Sequence, residues 1–138
     1  MRPALTTAVL KHYAHLATVL RPEGVALCPL AVRSPGDPDP APPASGWSYH
    51  DAPNSPLSDK FNAGMEALGR YRIGGERLDA VMVVGSDDVV SAAYVTAAVA
   101  EARKGASLVL GSGVAYLDTE TGRAFRAKPR RMGAGRVL

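Results

Sequence analysis

Leu78-Asp79-Ala80-Val81-Met82-Val83-Val84-Gly85-Ser86-Asp87-Asp88 is the stretch on which the fold reading turns. An apolar run stops at a glycine, a serine and two adjacent carboxylates. Continuous Val/Met runs of this length, bounded by turn residues, read as strands buried on both faces. In an open α/β sheet such a strand delivers the residues after it to the carboxyl edge, where ligands bind. Two carboxylates held that close repel one another unless a positive charge lies beside them. A hard divalent cation, Mg²⁺ or Mn²⁺, is the usual partner, and it commonly arrives with phosphate. A plainer role stands beside this one. Aspartate is a favoured helix N-cap and a helix is expected from about Val90, so one of the pair would serve equally as its cap.

On the carboxyl side of this strand, Tyr94, Val95, Ala98, Val99 and Ala102 predict a helix over about Ser91 to Arg103, closed by Gly105. Ala106 to Leu110 reads as a strand and Gly111-Ser112-Gly113 as a bend. Val114 to Leu117 then pairs, across the Asp118–Gly122 turn, with Arg123 to Ala127 in a β-hairpin. On the amino side, Phe61, Met65, Leu68 and Tyr71 predict a helix with Ser58 as its N-cap and Gly74-Gly75 as its end. Trp47 and Tyr49 alternate with polar neighbours in a short strand. The Pro/Gly-rich stretch 34–46 predicts a mobile loop. Val25 to Val32 reads as a strand in which Pro29 implies an edge or a bulge. Leu5, Val9, Tyr13, Leu16 and Leu20 mark one face of a helix from about Ala4 to Leu20, stopped by Arg21-Pro22-Glu23-Gly24. Strands alternating with helices predict a layered α/β sheet. A helix opens the pattern with no strand before it and nothing closes it, so it reads as the middle of a larger domain.

A chain of 138 residues, 46% hydrophobic, is long enough for one domain with a real core. No apolar segment approaches the roughly 18–20 residues that span a bilayer. Met1-Arg2-Pro3-Ala4 lacks the features of a signal peptide. Cys28 is the only cysteine, which excludes an internal disulfide and a cysteine-based zinc site. These features fit a cytoplasmic protein. The net charge of +3 is unevenly placed, with Arg123, Arg126, Lys128, Arg130, Arg131 and Arg136 crowding the end and no acid after Glu120. The basic tail, 128–138, would contact phosphates of a nucleotide or nucleic acid, or remain a solvated face. The aromatic interleaving of a single-strand binder is missing.

A second cluster, Asn54, Ser55, Ser58, Asp59, Lys60 and Asn62, lies at the start of the second predicted helix. Free amides and the positive dipole end attract phosphate or a polar ring there. Lys60 adds a point charge, Asn62 a donor and an acceptor, and Gly64, one turn beyond Lys60, allows a close approach. The alternative is a solvated lysine and a glycine that only eases packing. No Walker loop or Gly-x-Gly-x-x-Gly turn is present, and Ser86 lacks the glycine of a nucleophile elbow. His12 and His15 fall on the first helix, and His50 follows a strand beside Asp51.

The segment Asn54-Ser55-Pro56-Leu57-Ser58-Asp59-Lys60-Phe61-Asn62-Ala63-Gly64 resembles the Lys/Arg-x-Asn-x-Gly helix start of inverting, family-2-like nucleotide-sugar glycosyltransferases with the GT-A fold. In that superfamily a strand then ends in an Asp-x-Asp or x-Asp-Asp signature, and Val83-Val84-Gly85-Ser86-Asp87-Asp88 is similar to it. The likeness runs roughly from Val25 to Leu117. It implies a partial three-layer α/β/α Rossmann-like GT-A core over 1–138, with a mainly parallel sheet and a C-terminal β-hairpin. It implies that Asp88, assisted by Asp87, holds Mn²⁺ or Mg²⁺ against the diphosphate of a UDP- or GDP-linked sugar. Asn54, Lys60, Asn62, Ser86 and Asp87 would hold the rest of the nucleotide sugar, and the acceptor is unidentified. Gly133 to Arg136 is similar to the glycine-rich segment near the acceptor. The family's first strand would precede Arg2, and its carboxylate base lies beyond this stretch, so a shortened, inactive binding module is the companion expectation. An incomplete sheet edge would favour a homo-oligomer.

Overall fold

A computed structural model describes residues 3–37, 47–109, 114–118, 120–127 and 136–137. The remainder of the 34–46 loop, the Gly111–Gly113 bend, and most of the basic tail and of the Gly133–Arg136 segment lie outside the described residues. Helix α1, Pro3–Leu20, leads through a single 3₁₀ turn, Arg21–Glu23, into strand β1, Leu30–Arg33. Strand β2, Ser48–Asp51, and helix α2, Leu57–Gly69, follow. Next come strand β3, Met82–Val83, and helix α3, Ala92–Arg103. Strands β4, Val114–Leu117, β5, Ala124–Ala127, and β6, Arg136–Val137, complete the order. The chain is therefore of mixed α/β class.

The helical spacing read in α1 becomes the core. Val9, Tyr13, Leu16 and Leu20 are buried in one cluster with Val25 and with Val95 of α3. Leu20 is fully buried, so its side chain alone contributes about 1.5–3 kcal/mol. Gly24, in the left-handed conformation at φ 74°, reverses the chain, and the Val25 amide donates to the Leu20 carbonyl at 3.2 Å. The segment from Val25 thus returns alongside α1. Leu27, Trp47, Met82, Val84, Val90 and Val99 pack onto the same cluster.

Three strand pairs are described, one parallel and two antiparallel. β1 and β2 are parallel, with Leu30 opposite Ser48 and Arg33 opposite Asp51. β3 pairs antiparallel with β6, and β4 with β5. The expected mainly parallel sheet is thus met among the described residues only by β1–β2. The strands are also shorter than predicted. Val25 to Pro29 and Leu78 to Val81 lie outside any described ladder, and Asp79 is a bend. Within the expected strand Ala106–Leu110, only Val109 is bridged among the described residues. The C-terminal hairpin is as expected. Asp118 shapes its turn by accepting from the Glu120 amide at 2.9 Å and the Thr121 hydroxyl at 2.6 Å. These donors hold the Asp118 carboxyl below the usual carboxylate range. Tyr116 and Phe125 stack across the hairpin with centroids 5.3 Å apart.

α2 lies against β1 and β2 because Gly64 is buried there. A Cβ at Gly64 would stand 2.8 Å from Val32 Cγ2, closer than carbon atoms pack. The N-cap lies two residues earlier than read, at Pro56 and not Ser58, and no side chain caps the helix. No helix of the described residues is long and apolar enough to cross a membrane.

Candidate functional site at the carboxyl ends of the strands

Gly85 to Asp88 follows β3 as a tight turn. The Asp88 amide donates to the Gly85 carbonyl at 3.2 Å, and the Gly85 amide donates to Asp88 Oδ2 at 3.1 Å. Two groups of α1 anchor this turn from outside. Tyr13 Oη donates to the Asp88 carbonyl at 3.2 Å, and His12 Nε2 donates to the Val90 carbonyl at 2.8 Å. A carbonyl only accepts, so the second contact requires the proton on Nε2. Burial, and then the negative charge of Asp88, push the Tyr13 phenol up to about 12, which keeps it a donor.

The expectation that one of the two aspartates caps the following helix gives way to Ser91. Its Oγ accepts from the Tyr94 amide at 3.1 Å at the start of α3. Both carboxylates are left for the turn itself, and both lie on the open side of Gly85. A Cβ there would stand 2.8 Å from Asp88 Oδ2 and 3.3 Å from Asp87 Oδ1. Ser86 and Asp87 are exposed and Asp88 is half-buried.

Lys60 builds the second cluster. Its half-buried Nζ donates to Ser34 Oγ at 3.1 Å and to Asn54 Oδ1 at 3.5 Å. Neither acceptor carries charge, and among the described residues no carboxylate pairs with Lys60. Ser34, the first residue after β1, is itself placed by its amide, which donates to Asp37 Oδ2 at 3.1 Å. Beside them Arg33 grips Asp51, with Nε and Nη2 at 3.0 and 2.9 Å from Oδ1. Arg33 also lies 4.9 Å from the centre of the Tyr49 ring. Asn62 does not join the cluster. Two residues along a helix turn by roughly 200°, so Asn62 stands exposed on the face away from Lys60.

Each cluster lies beyond the carboxyl end of a strand, Ser34 after β1 and Gly85–Asp88 after β3. Arg103 Nη2, at the end of α3, reaches the Gly24 carbonyl at 3.4 Å. Tyr13 meets Trp47 edge-on with ring centres 6.3 Å apart, and it also holds Asp88. Among the described residues no hydrogen bond or ion pair joins the lysine cluster to the aspartates.

His50 lies elsewhere. It lines a surface cleft of about 400 Å³ with Glu66, Arg70 and Tyr71 of the α2 region. His15 is exposed on α1. Sequence reasoning missed Ser34 and Asp37, which their place directly after a strand could have flagged. It also missed the supports His12 and Tyr13, for which no local signal exists.

A divalent cation fits this donor set in part. Two carboxylates gathered on one side of a glycine suit Mg²⁺ or Mn²⁺, which take one or two protein carboxylates and fill the rest of the shell with phosphate and water. Among the described residues no group of three or more His, Cys, Asp or Glu side chains is placed to hold a metal alone. Compared with protein-family models, curated proteins and solved structures, the chain shows no significant match.

Proposed function

We propose that this chain is a glycosyltransferase-like domain that binds a nucleotide-diphosphate sugar at the carboxyl ends of its strands. One observation carries the reading. An acidic turn follows the carboxyl end of β3, a lysine with no ion pair among the described residues lies against the residue that follows β1, and a metal–diphosphate complex presents the charges that match both. In this reading the three paired strand sets belong to one partial GT-A-type core, with α1 and α3 on one side and α2 on the other.

Asp88 and Asp87 would hold Mn²⁺ or Mg²⁺, and the ion would offset the charge that develops on a leaving diphosphate. Lys60, steadied by Ser34 and Asn54, supplies a positive charge to the nucleotide. Tyr13 and His12 keep the Gly85–Asp88 turn in shape, so the carboxylates need little reordering on binding. Ser86, exposed in that turn, is free to meet the ribose or the sugar, and Asn62 contributes only if the ligand reaches round α2. Transfer to an acceptor is the further step of this proposal. No residue of the chain is assigned as its base.

The test is thermal unfolding with UDP, GDP and their sugar conjugates, with and without Mn²⁺. Binding at a hundred times Kd stabilises by about 2.7 kcal/mol. The expected pattern is a Mn²⁺-dependent rise in Tm that Asp88→Asn abolishes and Lys60→Met weakens. A flat response across the panel overturns the proposal.

A further inference from the structure

The β4–β5 hairpin, a two-stranded sheet of its own, contributes nothing to the nucleotide-sugar site proposed above. Its register sets Tyr116 opposite Phe125, so the two rings lie on one face. They stack nearly parallel, with centroids 5.3 Å apart and planes inclined by 17°. Such a cross-strand pair steadies a hairpin, yet that role leaves the outer ring uncovered. Phe125 is 59% exposed, and Tyr116 is half-buried. Two exposed arginines flank the ring. Arg126 is its neighbour in the strand, and Arg123 precedes it by two residues, about 7 Å along the chain. The Arg123 carbonyl accepts from the Asp118 amide at 2.9 Å, which continues the strand pairing one step beyond Ala124. Alternation then sets Arg123 on the face of the rings and Arg126 on the other. Of the two acids in the hairpin, Asp118 is engaged by the amides of Glu120 and Thr121 and by the Thr121 hydroxyl.

We propose that this hairpin docks single-stranded nucleic acid, with one base stacked on Phe125 and the phosphate beside that base met by Arg123. An unpaired base presents an open π-face, and stacking on an exposed ring tolerates any base. A guanidinium pairs phosphate oxygens bidentately, which gives the contact a direction as well as a charge. Charge also decides between occupants. Beyond Arg126 the sequence adds Lys128, Arg130, Arg131 and Arg136, and no acid follows Glu120. An apolar protein surface laid on Phe125 would desolvate Arg123 without supplying a countercharge, which is costly. A duplex would supply phosphates but keep its bases stacked on one another. A single strand supplies both charge and an open base. The platform exists only once the two strands pair, which is why the basic end, read as sequence, lacks the aromatic interleaving of such binders.

The probe is a fluorescent dodecamer of deoxythymidylate, titrated with the full chain and followed by anisotropy over a range of salt. A duplex of the same length runs beside it, with polyglutamate as a competitor. Phe125→Leu keeps apolar bulk at an exposed position and removes only the ring. It should weaken the single strand by about 5- to 150-fold and leave duplex affinity and the salt slope as they were. Retained duplex binding also shows that this variant is folded. Arg123→Gln should lower the slope of log K against log salt by about 0.7 on the single strand. Single-strand affinity that Phe125→Leu leaves intact overturns the proposal in favour of attraction by charge alone. Equal losses on single strand and duplex overturn it too, since only unpaired bases stack on the ring. Polyglutamate that displaces the dodecamer as well as unlabelled dodecamer does overturns it in favour of an acidic protein partner. No binding at low salt and millimolar protein overturns it outright.

Discussion

Gly64→Ala is the sharpest probe of how α2 is seated, because two known effects oppose each other there. The added methyl would stand 2.8 Å from Val32 Cγ2. Carbon atoms pack best at about 3.5–4.0 Å, so the helix or the valine must give way by about 1 Å. Val32 cannot swing aside cheaply, since a β-branched residue in a strand has few χ1 choices. Overpacking of this kind costs about 1–3 kcal/mol. Replacing a mid-helix glycine with alanine returns about 0.5–1 kcal/mol. The net expectation is a destabilisation of about 1 kcal/mol by urea unfolding, with an unchanged m-value. In a Val32→Ala background the clash is gone, and the same substitution should stabilise by about 0.5–1 kcal/mol. That reversal of sign is the signature. If Gly64→Ala stabilises the unaltered chain, α2 is not held against β1 as described. The shift would also lengthen the Lys60 bonds to Ser34 and Asn54, which now stand at 3.1 and 3.5 Å, so nucleotide binding should weaken with it.

Alkaline pH tests the anchor from α1. Tyr13 is held protonated in the fold, so its contribution is complete below pH 10 and is lost as the pH rises toward about 12. Stability should fall over that window, and Tyr13→Phe should flatten the fall; identical alkaline limbs in the two proteins would count against the Tyr13–Asp88 bond. Ser91→Ala removes the only side-chain cap described for α3 and should cost about 1 kcal/mol in chemical unfolding. An unaltered midpoint would mean that α3 is capped otherwise.

Local patterns were the legible part of the sequence. The 9-13-16-20 spacing of α1 and the turn residues of the β4–β5 hairpin were enough, because each is settled by neighbours in the chain. The strand edges were not. Val25–Pro29 and Leu78–Val81 carry strand-like sequence but join no described ladder, because a ladder depends on what lies alongside, which no local pattern encodes. At the candidate site, Lys60 and Asn54 were readable from their place at a helix start. Asn62 stands on the face of α2 away from Lys60, which follows from the roughly 100° turn per helical residue and not from the motif spacing. Pro56, in extended conformation, takes the N-cap of α2 in place of Ser58, and no side chain caps the helix. Ser91, not an aspartate, caps α3, and that frees both carboxylates for the turn.

The two bonds from α1 to the turn after β3 connect residues 75 and 78 positions apart. Closing so long a loop is entropically costly, and contacts of high sequence separation slow folding. The acidic turn can take its final shape only once the whole stretch from α1 through Val90 has collapsed together. During synthesis the acidic turn therefore cannot be anchored before Val90 has been added, whereas the contact between α1 and the returning Val25 segment can form much earlier.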